Sequence, residues 1–140
     1  MIYNQSGLPD PTAYEAICHV EAERLRENRR PLVYICSPYR GDTNQNIRKA
    51  REYCRFAVEQ HVTPIAPHLL FPQFMGKEET KQVRALSMSM GKQILRRCRE
   101  LWWFGTEPTE GMLSEIKFAA RNELVIRHFT EKCEEVSFSC

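Results

Sequence analysis

With 140 residues, 42% of them apolar and 27% charged, the chain has the length and balance of one globular domain that buries a real core. A net charge of +2 is too small to mark a nucleic-acid groove, and the basic clusters Arg24/Arg26/Arg29/Arg30, Arg48/Lys49/Arg51 and Arg96/Arg97/Arg99 have acids in or beside most of them, as solvated helix faces do. No window reaches the ~18 apolar residues of a membrane span, and Met1-Ile2-Tyr3-Asn4-Gln5-Ser6 lacks a basic-then-apolar leader, so the expectation is a cytoplasmic protein without a membrane or nucleic-acid polymer as partner.

Residues 1–10 read as an irregular arm ending in Pro9-Asp10-Pro11. Thr12 is expected to cap a helix to about Asn28, with Tyr14, Ile17, Cys18, Ala22 and Leu25 on one face. Arg29-Arg30-Pro31 ends it, and Leu32-Val33-Tyr34-Ile35-Cys36 has the β-rich, unbroken apolarity of a buried parallel strand. Ser37 to Asp42 breaks that strand, and a helix follows over 43–60, with Ile47, Ala50, Tyr53/Cys54 and Ala57/Val58 at helical spacing.

Thr63 to Ala66 is a short strand whose Pro64 points to its beginning or to an edge position. A proline- and aromatic-rich loop, 67–76, leads to a helix over 78–98 with Val83, Leu86, Met90, Ile94 and Leu95 inward. Glu100 to Phe104 is a strand, Thr109 to Asn122 a helix, and Leu124 to Ile126 a last strand before a polar tail. Alternating strands and helices predict a three-layer α/β/α domain over 31–130 on a parallel sheet, with an extra N-terminal arm and helix in 1–30 and a tail in 131–140.

The six cysteines are scattered, with no C-x-x-C pair, so reduced structural thiols are expected, with Cys133 and Cys140 as the exposed ones.

Ligands of such sheets gather beyond the carboxyl ends of the strands. Ser37-Pro38-Tyr39-Arg40-Gly41-Asp42, Pro67-His68 and Gly105 to Thr109 all fall there. Ser37 and backbone amides supply donors, Arg40 a fork for phosphate or carboxylate, and Asn46 a further polar group in the next helix. Arg40 read alone is equally a surface turn residue. Tyr39 suits stacking on a sugar or base, or plain packing. His68 reads as a satisfied structural group or as a pocket residue. Metal ligation is not expected, because no second histidine or cysteine pair has ligand spacing. No G-x-x-x-x-G-K-[ST], G-x-G-x-x-G or G-x-S-x-G occurs. Trp102-Trp103-Phe104 reads as core and interface rather than a ligand cage.

Glu115 lies early in the helix opened by Thr109-Glu110-Gly111-Met112, with Met112, Ile116, Phe118 and Ala119 around it. Its spacing leaves two readings open. It is an exposed or arginine-paired structural acid, or a desolvated carboxylate facing the cleft and able to attack an electrophilic carbon.

The segments Val33 to Asp42, Pro64 to Phe74 and Glu100 to Gly105, completed by Glu110-Gly111-Met112, Glu115-Ile116 and Ala119, resemble an uncharacterised bacterial and phage family related to the nucleoside 2-deoxyribosyltransferases and deoxynucleotide N-hydrolases. The resemblance covers about residues 32–129. It implies a flavodoxin/Rossmann-like fold and a homo-oligomer whose neighbouring subunits help complete the sites, and no cofactor is expected. In those enzymes a glutamate early in a helix, six residues after an Asp or Ser, is the nucleophile. Glu115 stands six residues after Thr109, which implies Glu115 as nucleophile and Thr109 as the hydroxyl contact. Ser37, Pro38, Tyr39 and Arg40 match the loop that holds the sugar or its 5′-phosphate, and Asn46, His68, Gly111 and Met112 complete the implied nucleoside or nucleotide site. The stretch Ser87 to Lys92 carries no acid where those enzymes have an aspartate, and Arg99 stands beside Glu100 in place of another.

Three functions are thereby set out: cleavage or transfer of an N-glycosidic bond through Glu115, a non-catalytic nucleotide-binding or sensing module, and an accessory protein acting through protein contacts at Trp102 or Trp103. The first requires Glu115 and Arg40 to face one cleft.

Overall fold

A computed structural model describes residues 11–27, 29–76 and 78–137; the arm of residues 1–10, Asn28 and Cys140 lie outside them. The chain divides into two compact units at residues 30 and 31. In the first, α1 runs Pro11–Glu27. Pro11 begins it, as suits a residue without an amide hydrogen, so Thr12 lies inside the first turn and is not the cap. Tyr14, Ile17 and Val20 on this helix are exposed.

The second unit holds β1 (Leu32–Cys36), α2 (Thr43–Glu59), β2 (Thr63–Ile65), α3 (Pro67–Leu70), α4 (Lys81–Leu95), β3 (Glu100–Phe104), α5 (Glu110–Arg121), β4 (Val125–Phe129) and β5 (Glu135–Val136). The strands form one sheet in the order β2-β1-β3-β4-β5. The first four run parallel, and β5 pairs antiparallel with β4 through His128↔Val136 and Phe129↔Glu135. The sheet is therefore mixed and mostly parallel rather than wholly parallel, and the expected tail supplies its last strand. Pro64 sits on the edge strand β2, where its missing donor costs no ladder bond on the open side.

Strand alternation sorts the core onto two faces. Val33, Ile35, Trp102, Phe104 and Phe129 meet Tyr53 and Ala57 of α2, with Tyr53 stacked on Phe104 at 4.2 Å. Tyr34, Cys36, Leu101 and Trp103 meet Leu95 of α4 and Met112 and Ala119 of α5 on the other face. This is a mostly parallel α/β sheet with flanking helices, of the general three-layer kind. Trp102 and Trp103 are 1% and 9% exposed, so they are core side chains and offer no surface to a protein partner.

Three further expectations change. Residues 67–73 form α3 and a 3-10 turn, Phe71–Gln73, instead of an open loop, because Pro67 and Pro72 each sit in the first turn of a short helix. The helix expected over 78–98 is shorter, with Thr80 capping it through the Val83 amide, and Leu86 faces solvent. Cys133 is partly buried against the α2-side core rather than exposed. Among the described residues no helix is long and apolar enough to cross a membrane.

Candidate functional site

Parallel β1, β2 and β3 deliver their following segments to one sheet edge. After β1 the chain turns at Gly41, whose φ of +98° suits a residue without a side chain, and Asp42 caps α2 through the Gln45 amide. Asn46, one turn into α2, donates from Nδ2 to the carbonyls of Tyr39 at 3.2 Å and Arg40 at 2.9 Å. Its amide thus holds the loop in shape. After β2, α3 carries His68 back towards β1, where its Nε2 shares a 2.9 Å hydrogen bond with the Ser37 hydroxyl. Tyr39 lies edge-on to His68 at 6.3 Å. Burial lowers His68 to a pKa of about 4, so the ring is neutral at pH 7.

After β3 the chain leaves the sheet at Gly105, with φ +124°. The Gly105 carbonyl accepts from His128 Nε2 at 2.6 Å, and that ring stacks on Trp103 at 3.4 Å. Thr109 then caps α5, its hydroxyl oxygen accepting from the Met112 amide at 3.3 Å. This bond uses the hydroxyl as an acceptor and does not engage its hydrogen.

These segments and α4 enclose a cleft of about 480 Å³, within the range of roughly 300–1,000 Å³ that accepts small organic ligands. Glu115 and Arg40 both line it. Glu115 is only partly exposed as a residue, and burial of its carboxyl raises its pKa from 4.5 to about 7. The nearby Cys36 thiol and Tyr34 hydroxyl and the charge of Lys92 oppose that rise, although the thiol hydrogen is directed at the Met112 carbonyl, 3.9 Å from Sγ. The thiol and the hydroxyl are themselves held protonated, burial pushing Cys36 and Tyr34 well above their ordinary values. Loss of hydration outweighs these groups, so the acid is balanced between its two forms near neutrality.

Ser37, Tyr39, Arg40, His68, Thr109, Gly111, Met112 and Glu115 all line this cleft. Pro38 and Asn46 do not; they line a separate pocket of about 30 Å³ with Lys49 and Glu131, and the Asn46 amide is taken up by the loop it holds. A Cβ on Gly111 would meet nothing within 4 Å, so backbone is accessible from the cleft there. Arg40 is already engaged: its Nη2 lies 2.7 Å from Glu79 Oε1.

Sequence reasoning missed several contributors. Tyr34 and Cys36 were read only as strand, although strand alternation puts both on the face that α5 covers. Glu78 and Glu79, at the approach to α4, and Arg84, Ser87 and Met88 within it, also line the cleft, as does Glu110. No motif marks Glu78, Glu79 or Arg84, because their side of the cleft depends on how α4 packs; Ser87, Met88 and Glu110 stand in segments that the resemblance covers. Among the described residues no group of three or more His, Cys, Asp or Glu could hold a metal ion.

Residues 31–129 match the model of a protein family described as "Domain of unknown function (DUF7768)". The match runs from β1 through β4 and includes every residue named in the cleft. No curated protein matches the chain.

Proposed function

The chain belongs to the DUF7768 family, and from the side chains this domain brings to its cleft we propose that it cleaves or transfers the N-glycosidic bond of a nucleoside or nucleotide through Glu115. One observation carries the reading: a desolvated carboxylate lies in a ligand-sized cleft with Arg40, Tyr39, His68 and Thr109 on its other walls. A flavodoxin-like strand order and the resemblance to nucleoside 2-deoxyribosyltransferases support the same reading.

In this mechanism the ionised Glu115 carboxylate attacks C1′ of the sugar and forms an ester bond as the C1′–N bond breaks. The base leaves with the electron pair and takes up a proton from water. Water or a second base then attacks C1′, releasing Glu115. Tyr34 and Cys36, with Lys92, favour the ionised carboxylate, Thr109 donates to the sugar, and Tyr39 lies against the base. Neutral His68 fixes the Ser37 hydroxyl and adds no charge.

The rival is a nucleotide-binding module without turnover, favoured by the absence of an acid in Ser87 to Lys92. Incubation with a panel of nucleosides and nucleotides, followed by chromatography for free base, separates the two. Base release supports the enzyme; calorimetric binding without release supports the module.

A further inference from the structure

The Arg40–Glu79 pair joins two walls of the cleft. Arg40 comes from the loop after β1 and Glu79 from the segment leading into α4, and their side chains, 52% and 45% exposed, meet at 2.7 Å. Arg40 is the cation that the loop offers to a sugar phosphate, and here a carboxylate already engages its guanidinium. Among the described lining residues the acids Glu78, Glu79, Glu110 and Glu115 outnumber the guanidinium groups of Arg40 and Arg84. A phosphate arriving at Arg40 must displace Glu79 or lie beside it, and after displacement Glu79 and its neighbour Glu78 remain as nearby like charges.

We propose that Glu79 is a specificity residue: by occupying Arg40 it favours an uncharged nucleoside over the corresponding 5′-monophosphate. This rests on the nucleoside reading above and refines its substrate class. A nucleoside places a neutral 5′-hydroxyl near the ion pair and leaves the pair intact. Because a solvent-exposed ion pair is weak, the discrimination is a matter of roughly threefold in affinity and not an absolute exclusion. Arg84, one turn into α4, does not reverse it, since Glu78 and Glu110 line the same cleft.

The test is calorimetric binding of the four common 2′-deoxynucleosides and their 5′-monophosphates to full-length Glu115→Gln protein, with and without Glu79→Gln. The expected result is that the bound nucleoside is held more tightly than its monophosphate, and that Glu79→Gln shifts this ratio about threefold towards the monophosphate. Adding Arg40→Gln should abolish the shift, which assigns the phosphate to Arg40. A monophosphate preference in the parent protein, or a ratio that Glu79→Gln leaves unchanged, overturns the assignment of Glu79 while the nucleoside reading stands. No binding of any of these ligands overturns both.

Discussion

The Tyr34 hydroxyl lies 3.1 Å from where a Cβ on Gly91 would stand. Gly91 is buried within α4, and the Tyr34 hydroxyl is one of the groups that lower the pKa of Glu115. A glycine inside a helix forgoes about 0.5–1 kcal/mol of helix stability relative to alanine, and here it leaves room for the hydroxyl. Gly91→Ala should move Tyr34 by a few tenths of an ångström and weaken its influence on Glu115. We expect turnover to fall on the order of tenfold, with the midpoint of the pH–rate profile moved upward, while the melting temperature holds. Unchanged rate and midpoint would separate Tyr34 from the chemistry.

Glu115 and His68 give opposing pH dependences of stability. Glu115 is raised from 4.5 to about 7. Its contribution is fully present below pH 4.5 and is lost as pH rises towards 7, on the order of 3 kcal/mol. His68 is lowered from 6.5 to about 4. Its contribution is present above pH 6.5 and is lost as pH falls towards 4, by a similar amount. Between about pH 4.5 and 6.5 the two nearly cancel. Urea denaturation of Glu115→Gln should therefore show stability rising with pH over this window relative to the parent, and His68→Asn should show it falling. Parallel curves for all three proteins would contradict both assignments.

Turnover itself should rise with pH through about 7, because only the ionised Glu115 attacks. A rate that falls across the same range would make Glu115 a proton donor instead of a nucleophile.

Asn46 acts through the loop and does not contact the ligand. Asn46→Ala removes the amide that fixes the Tyr39 and Arg40 carbonyls. The expected loss is about 1 kcal/mol of stability, with KM raised several-fold and kcat nearly unchanged. A large fall in kcat at constant KM would show that Asn46 touches the reacting sugar.

The fold was largely legible because its strands are unbroken apolar runs and its helices have clear punctuation. Leu32 to Cys36 and Glu100 to Phe104 were bounded as the structure has them, and Thr109 marks the start of α5. β5 was not legible, since two residues beside a turn carry no period and gain their order only by pairing with His128 and Phe129. The strand-end loops of the site were readable from topology alone. Which way Asn46 points, and what Arg40 holds, depends on side-chain partners in the loop and beside α4. Leu86 shows the same limit, because helical spacing placed it inward and the packing of α4 leaves it outside.

The most direct measurement of the central claim is the rate of free-base release by Glu115→Gln beside that of the parent protein, at pH 7.5 and on the best substrate of the nucleoside panel. The amide keeps the size of the side chain and removes the buried charge, so the variant should fold and still bind ligand. With Glu115 as nucleophile, release should fall by about a thousandfold or more. Release within a few-fold of the parent would contradict the assignment.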